Sequence, residues 1–517
     1  MAPRSQVSTQ RLTLLACILG SGIVLLDGSV VNVALPTIQR ELGGGLAGQQ
    51  WVLNGYLLML GSLILIGGSL GDIYGERLIF EIGVSAFGVA SLVCALAPSI
   101  GLLVAARALQ GVAGALLTPA SLAVIVRTFP ISTRGAAIGT WTAWGTVAGV
   151  VGPLVGGELL AVASWRWVFV INVPPVIVCL VLIRLVIPAA EPRARGARRV
   201  DLPGALLCAL GLAGVVFALI EQPRLGWSSP GVVGPLGGGS LLFAAFVAHE
   251  GRARDPMLPL RLFRGRNFAA GNVETFSMYA GLSILFFFLI LFLQQVGGYT
   301  PLKSGLTTIP VTVGMFLLSR RFGALAGRLG PRLFMGAGPL VCAAGLLLFQ
   351  RVGTHVGYFS DVLPALVIFA LGLSMTVAPL TAAVLADATT QDAGIASGVN
   401  NAIARVAGLL GTAAVGAAVA SAFTADVDRR LSGVALGPPA RAALAAAKRL
   451  PLGLPDVNGL PAAQAHALHS AAEQASLHSF HVGMAIASGL IAGGGLVGAL
   501  AIRNRTGQAP THTPGPA

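Results

Sequence analysis

Charge is what this chain has least of. Only 10% of its 517 residues are Asp, Glu, Lys or Arg, whereas an ordinary soluble domain carries about 25%. That deficit excludes a solvated globular enzyme. Lysine is nearly missing: Lys303 and Lys448 stand alone among the basic side chains, and the rest are arginine. Cysteine is sparse too. Cys17, Cys94, Cys179, Cys208 and Cys342 all fall in apolar runs with no CxxC pair, which excludes a disulfide framework and a thiolate metal site. No phosphate-cradling Walker loop or HExxH pair occurs. Nucleotide-driven pumping and hydrolytic chemistry therefore lack their usual carriers, and no cofactor is expected. The net charge of +14 has no solvated basic domain to sit on, so nucleic acid is not an expected partner.

What the chain does have is apolar length. Hydrophobic residues make up 55%, mean hydropathy is +0.83, and 69 glycines suit close helix packing in lipid. Apolar runs long enough to span a bilayer predict fourteen helices near 12–35, 51–71, 79–98, 102–126, 136–160, 167–187, 202–221, 231–249, 270–295, 304–322, 333–353, 361–386, 395–423 and 480–502. The first run is too long for the apolar core of a signal peptide, so it reads as an uncleaved first helix. With the N-terminus placed inside, the inner segments hold 21 basic residues, among them Arg193, Arg195, Arg198 and Arg199. The short outer loops hold five. Basic residues gather on the cytoplasmic side, so both termini are expected there, with segment 424–479 outside.

A repeat divides the chain. Gly68-Ser-Leu-Gly-Asp72-Ile-Tyr-Gly75-Glu-Arg77 matches Gly323-Ala-Leu-Ala-Gly-Arg-Leu-Gly330-Pro-Arg332 in one register. Each copy follows the second span of a six-span half. The expected fold is thus an all-α integral membrane protein: two pseudo-symmetric six-helix bundles, 1–187 and 266–505, joined by two linker helices within 188–265. A disordered tail, 506–517, closes it. Repeated halves place a transport site near the midplane between them.

Several polar residues sit inside spans. Asp27 lies well into the first, where a carboxylate costs about 2.5–3.5 kcal/mol and should face a cavity or a partner. Arg107 lies at a matching depth in the fourth, on one face with Gln110 and Gly111. The two are expected to meet, either as a proton switch or as a static ion pair. Gly145, Gly149, Gly152 and Gly156 form a stripe on the fifth span, beside Pro153, for close packing or for sealing the pathway. Ser397, Asn401 and Arg405 make a polar stripe on the thirteenth, and Gln50 and Asn54 one on the second. Glu158 and Gln294 are further cavity candidates. His466, His469, His478 and His481 read as solvated segment residues, not metal ligands.

These residues carry a resemblance. Gly68 to Arg77, with Asp72 and Gly75, resembles the cytoplasmic-loop motif of the major facilitator superfamily. Arg107-Ala-Leu-Gln110-Gly111 resembles its fourth-helix motif, and Gly152-Pro153-Leu-Val-Gly156-Gly157 its antiporter motif. Leu26-Asp27 through Asn32 to Pro36, and Ser164-Trp165 through Asn172 to Pro174, are similar to hallmarks of the fourteen-span drug:proton antiporters of the QacA/EmrB type. Ile73 and Glu76 depart from the basic residues usual in the loop motif. The resemblance implies a proton antiporter in the lipid bilayer that exports amphipathic, often cationic, small molecules; a monomer is expected, although the sequence does not fix the oligomeric state. Alternatives are a dedicated exporter of one metabolite, lipid or siderophore, and a non-transporting sensor or scaffold.

Overall fold

The computed structural model describes residues 3–188, 200–387 and 392–504. Arg193, Arg195, Arg198, Arg199 and the tail 506–517 lie outside these. Among the described residues every regular element is helical, because lipid leaves backbone N–H and C=O groups no partner but the helix itself. The first half comprises α1 (Pro3–Leu42), α2 (Gly45–Tyr74), α3 (Glu76–Ala95), α4 (Ile100–Thr128), α5 (Ile131–Val162) and the short α6 (Trp167–Val170) leading into α7 (Val173–Val186). Two linker helices follow, α8 (Leu202–Leu225) and α9 (Pro230–Glu250). The second half comprises α10 (Arg266–Gln295), the short α11 (Pro301–Leu306) leading into α12 (Ile309–Leu329), α13 (Pro331–Leu348), α14 (Leu363–Ala386), α15 (Ala393–Arg430), α16 (Pro438–Ala447) and α17 (Ala462–Ala501). Fourteen of these runs are long and apolar enough to cross a membrane. Large apolar side chains such as Val89, Leu96, Leu185, Phe316 and Leu500 point outward, as a lipid-facing surface requires.

The two halves use the same pairings. In the first, α4 packs on α2 and α3, and α1 on α5 and α7; in the second, α14 packs on α12 and α13, and α10 on α15 and α17. The repeated motif is also repeated backbone. Gly75 ends α2 with φ 96°, and Gly330 ends α12 with φ 87°. Each N–H closes back on its helix, to the Gly71 and Ala326 carbonyls. A side chain is strained at such a φ, so glycine is what lets the next span start immediately. The linker helix α8 lies along the seam of α2 and α15, where Leu212, Val216 and Ile220 meet Leu58, Ile66 and Leu409.

For segment 424–479 the sequence leaves open a solvated loop or a short helical hairpin, and the hairpin is what forms. α15 runs on to Arg430 and α17 begins at Ala462, so much of the segment is a helical hairpin. Phe423, Val427 and Leu431 pack on Leu468, Ala471 and Ala475. Hydropathy ended the spans where lipid would end, but alanine-rich turns stay helical in water when one face is covered. His466, His469, His478 and His481 lie on α17, and His481 Nε2 sits 3.0 Å from the Val352 carbonyl oxygen.

Candidate functional site

A cavity of about 1140 Å³ lies between the halves. Its walls come from α1, α2, α4 and α5 on one side and α10, α12, α14 and α15 on the other. Asp72, Asp201, Arg254, Asp255 and Arg261 rim it on the face that carries both chain ends. The opposite face is shut by close contacts between halves. A side chain at Gly305 would strike the Pro153 carbonyl oxygen at 2.6 Å, and one at Gly157 the Leu302 backbone nitrogen at 2.8 Å. Thus α11 lies backbone to backbone on α5.

Ser397, Asn401 and Arg405 line the cavity, as do Gly68, Asp72, Gly145, Gly149 and Pro153. The glycine stripe divides in two. Gly152 and Gly156 press on α1 at Ser29 and Val30, whereas Gly149 faces open space.

Four expected cavity residues are elsewhere. Gln50 Nε2 donates to the Thr412 carbonyl at 2.6 Å, and the Thr412 hydroxyl donates to Asn54 Oδ1 at 3.0 Å, joining α2 to α15. Gln294 Nε2 donates to the Val33 carbonyl at 3.1 Å and to Ser304 Oγ at 2.9 Å, joining α10 to α1. Glu158 is exposed and does not line the cavity. Polar periodicity identifies a face that avoids lipid, and a partner helix covers such a face as well as a water-filled cavity does.

Asp27 and Arg107 do meet. Both side chains are fully buried, and Arg107 Nη1 bonds Asp27 Oδ2. Asp27 Oδ1 accepts from Gln110 Nε2 and from Asn172 Nδ2, each at 2.9 Å. Arg107 also donates to Gln110 Oε1 at 2.6 Å and to the Val52 carbonyl at 3.1 Å. Ser91 Oγ completes the cluster by accepting from Gln110 at 2.8 Å. The pair stands behind the cavity wall: α1 lines the cavity with Val24, Leu25, Gly28, Ser29 and Asn32, not with Asp27. Tyr56 is the layer between. Its ring lies 4.3 Å from the Arg107 guanidinium carbon, its hydroxyl donates to the Val24 carbonyl at 3.3 Å, and it lines the cavity.

Sequence reasoning did not assign Asn172, Ser91 or Tyr56 to the site. A polar side chain in an apolar run was the available signal for Asn172. Glu76, read as a departure from the loop motif, pairs with Arg127 at 2.8 Å. Glu274, on α10, is fully buried with no hydrogen bond to either carboxyl oxygen among the described residues.

Comparison with known proteins places these features in context. The family profile of the Major Facilitator Superfamily matches residues 17–412. The chain is 34% identical over 438 residues to the multidrug resistance protein Stp of Mycobacterium tuberculosis, covering 84% of this chain and 81% of that one. It is 35% identical over 413 residues to the tetracenomycin C resistance and export protein of Streptomyces glaucescens, covering 79% and 76%. Among solved structures, a bacterial homolog of the human lysosomal transporter Spinster, inward-facing and unoccupied, superposes with a TM-score of 0.65 at 18% identity. That match covers 96% of this chain and 99% of the other.

Proposed function

We propose, from the premise that this chain belongs to the major facilitator superfamily, that it exports amphipathic small molecules of the drug and antibiotic class in exchange for protons. The cavity carries this reading. It is walled by both halves, open towards one face and sealed at the other, and at about 1140 Å³ it admits a drug-sized molecule. The relatives named for multidrug resistance and for tetracenomycin C resistance and export supply the class of cargo.

Asp27 is the proton acceptor in this proposal and Arg107 its counter-charge. A proton on Asp27 frees the guanidinium from its carboxylate. The guanidinium then leans on Gln110, the Val52 carbonyl and the Tyr56 ring. Tyr56 carries that change to the cavity wall, and the halves rock about the cavity. One charge crossing 100 mV is worth about 2.3 kcal/mol, enough for a gradient of roughly 50-fold per proton. The deciding experiment is a drug panel in an efflux-deficient host. Resistance that an uncoupler abolishes is expected. Unchanged susceptibility, together with no flux in proteoliposomes, would instead favour a sensor.

Both termini belong in the cytoplasm of a multi-pass cell-membrane protein, on the asymmetry of 21 basic residues against five. A membrane-impermeant thiol reagent applied to intact cells should label Ser432→Cys, on the hairpin, and spare Ser5→Cys. The reverse pattern would invert the topology and turn the open cavity outward.

A further inference from the structure

The cavity carries an unbalanced positive charge at its middle. Arg405 stands 12 residues beyond the start of α15 at Ala393, about 18 Å along the helix at 1.5 Å per residue. The other charged residues lining the cavity are Asp72, Asp201, Arg254, Asp255 and Arg261. They sit where α2 ends, where α8 begins and in the connection from α9 to α10, all at the rim. Deep in the cavity, therefore, Arg405 is the one charged lining residue among the described residues. The carboxylate buried at comparable depth, Asp27, is behind the wall and committed to Arg107, Gln110 and Asn172.

Arg405 is also unpaired. Among the described residues it has no ion pair and no hydrogen bond from its guanidinium. Its β-carbon packs against α2, 3.1 Å from where a side chain at Gly61 would begin, so the stem is fixed while the head stays partly exposed. Tyr56 and Tyr279, one in each half, line the same cavity. Trp141, Phe286 and Met315 are among the apolar residues lining the same cavity. While the cavity is open, water solvates this cation. Once the halves close over a cargo, water leaves, and an uncompensated buried charge costs several kcal/mol.

We infer that Arg405 anchors the acidic group of the cargo, a carboxylate, phenolate or enolate on an otherwise apolar, ring-bearing molecule. This rests on the export reading above and gives it a substrate class: anionic amphiphiles are preferred over the cationic ones expected from sequence. A guanidinium suits such groups because its planar fork meets two oxygens at once and its face stacks on rings. The anion also supplies the counter-charge that closure over a cargo requires.

The test compares three probes with one body: pyrenebutyrate, its methyl ester and pyrenebutylamine. Binding to the purified full chain in lipid nanodiscs is read by energy transfer from tryptophan to pyrene. The acid should bind at least about tenfold more tightly than the amine, a difference of about 1.4 kcal/mol. In Arg405→Gln the acid and its ester should bind alike, and Arg405→Lys should keep the order acid, ester, amine. Equal or tighter binding of the amine to the wild-type chain would overturn the inference, as would an acid preference that survives in Arg405→Gln. Should Arg405→Gln fail to fold, the wild-type comparison and Arg405→Lys still decide. Binding is measured without transport. Absent efflux would therefore overturn the export reading alone, and an absent charge preference this inference alone.

Discussion

Asp27→Asn should abolish uphill efflux while leaving downhill exchange of the same compound measurable. In proteoliposomes with an imposed pH gradient, accumulation should fall to that of empty vesicles, and substrate-induced proton release from purified protein should vanish. The variant should also be less stable. From sequence, an amide in place of a buried carboxylate looks benign. The structure says otherwise, because Asp27 is the counter-ion of a fully buried Arg107. Removing one partner of a buried pair costs about 3–5 kcal/mol. The double variant Asp27→Asn/Arg107→Gln removes both charges, so it should regain most of that stability and still fail to couple. That separation is what a purely structural ion pair would not give. If Asp27→Asn releases protons on substrate addition and concentrates substrate, coupling lies elsewhere. Glu274 is then the next carboxylate to replace, being fully buried inside a span and, unlike Asp27, without a hydrogen-bond partner among the described residues.

Much of the frame was legible before any coordinates. Span number follows from apolar length, and the repeated loop from glycines whose positive φ no other residue adopts cheaply, Gly75 and Gly330. The meeting of Asp27 and Arg107 followed from equal depth on two helices, since each needs a partner away from lipid. What periodicity does not carry is which neighbour covers a polar face. Gln50 and Asn54 share a face as expected, but Thr412 of α15 occupies it. Arg405 and Asn401 share a face in the same way, and there the cavity occupies it. Nothing in the spacing distinguishes the two cases, because the difference lies in a contact some 360 residues away in the chain. Tyr56 was hidden for a related reason. A tyrosine in an apolar span reads as core, and its place between an ion pair and a cavity exists only once α2 is packed on α4.

Gly305→Ala should open the sealed face. The contact of α11 with α5 is made by backbones: a methyl at Gly305 would lie 2.6 Å from the Pro153 carbonyl oxygen and 3.0 Å from its carbon. Neither atom can swing away as a flexible side chain could, so α5 or α11 must retreat. Overpacking of this kind costs about 1–3 kcal/mol, and the cost falls only on the state in which this face is shut. The opposite state, with the helices apart, has room for the methyl. The population should therefore move towards opening on the hairpin face by roughly 5- to 150-fold. Asn32→Cys is a suitable reporter, because Asn32 lines the cavity on α1 and the five native cysteines are all buried. Its reaction with an impermeant thiol reagent from the hairpin side should be slow in the parent and faster by that factor with Gly305→Ala. Export should fall in step, since a cycle that cannot reseal spends its time open to one side. Gly237→Ala, on the linker helix α9 and outside the cavity lining, is the internal control: a β-carbon there meets nothing within 4 Å, so neither labelling nor export should change. Unaltered labelling in Gly305→Ala, with the variant folded, would mean that the α5–α11 contact yields without opening and that the seal lies in the Gln294–Val33 and Gln50–Thr412 bonds instead.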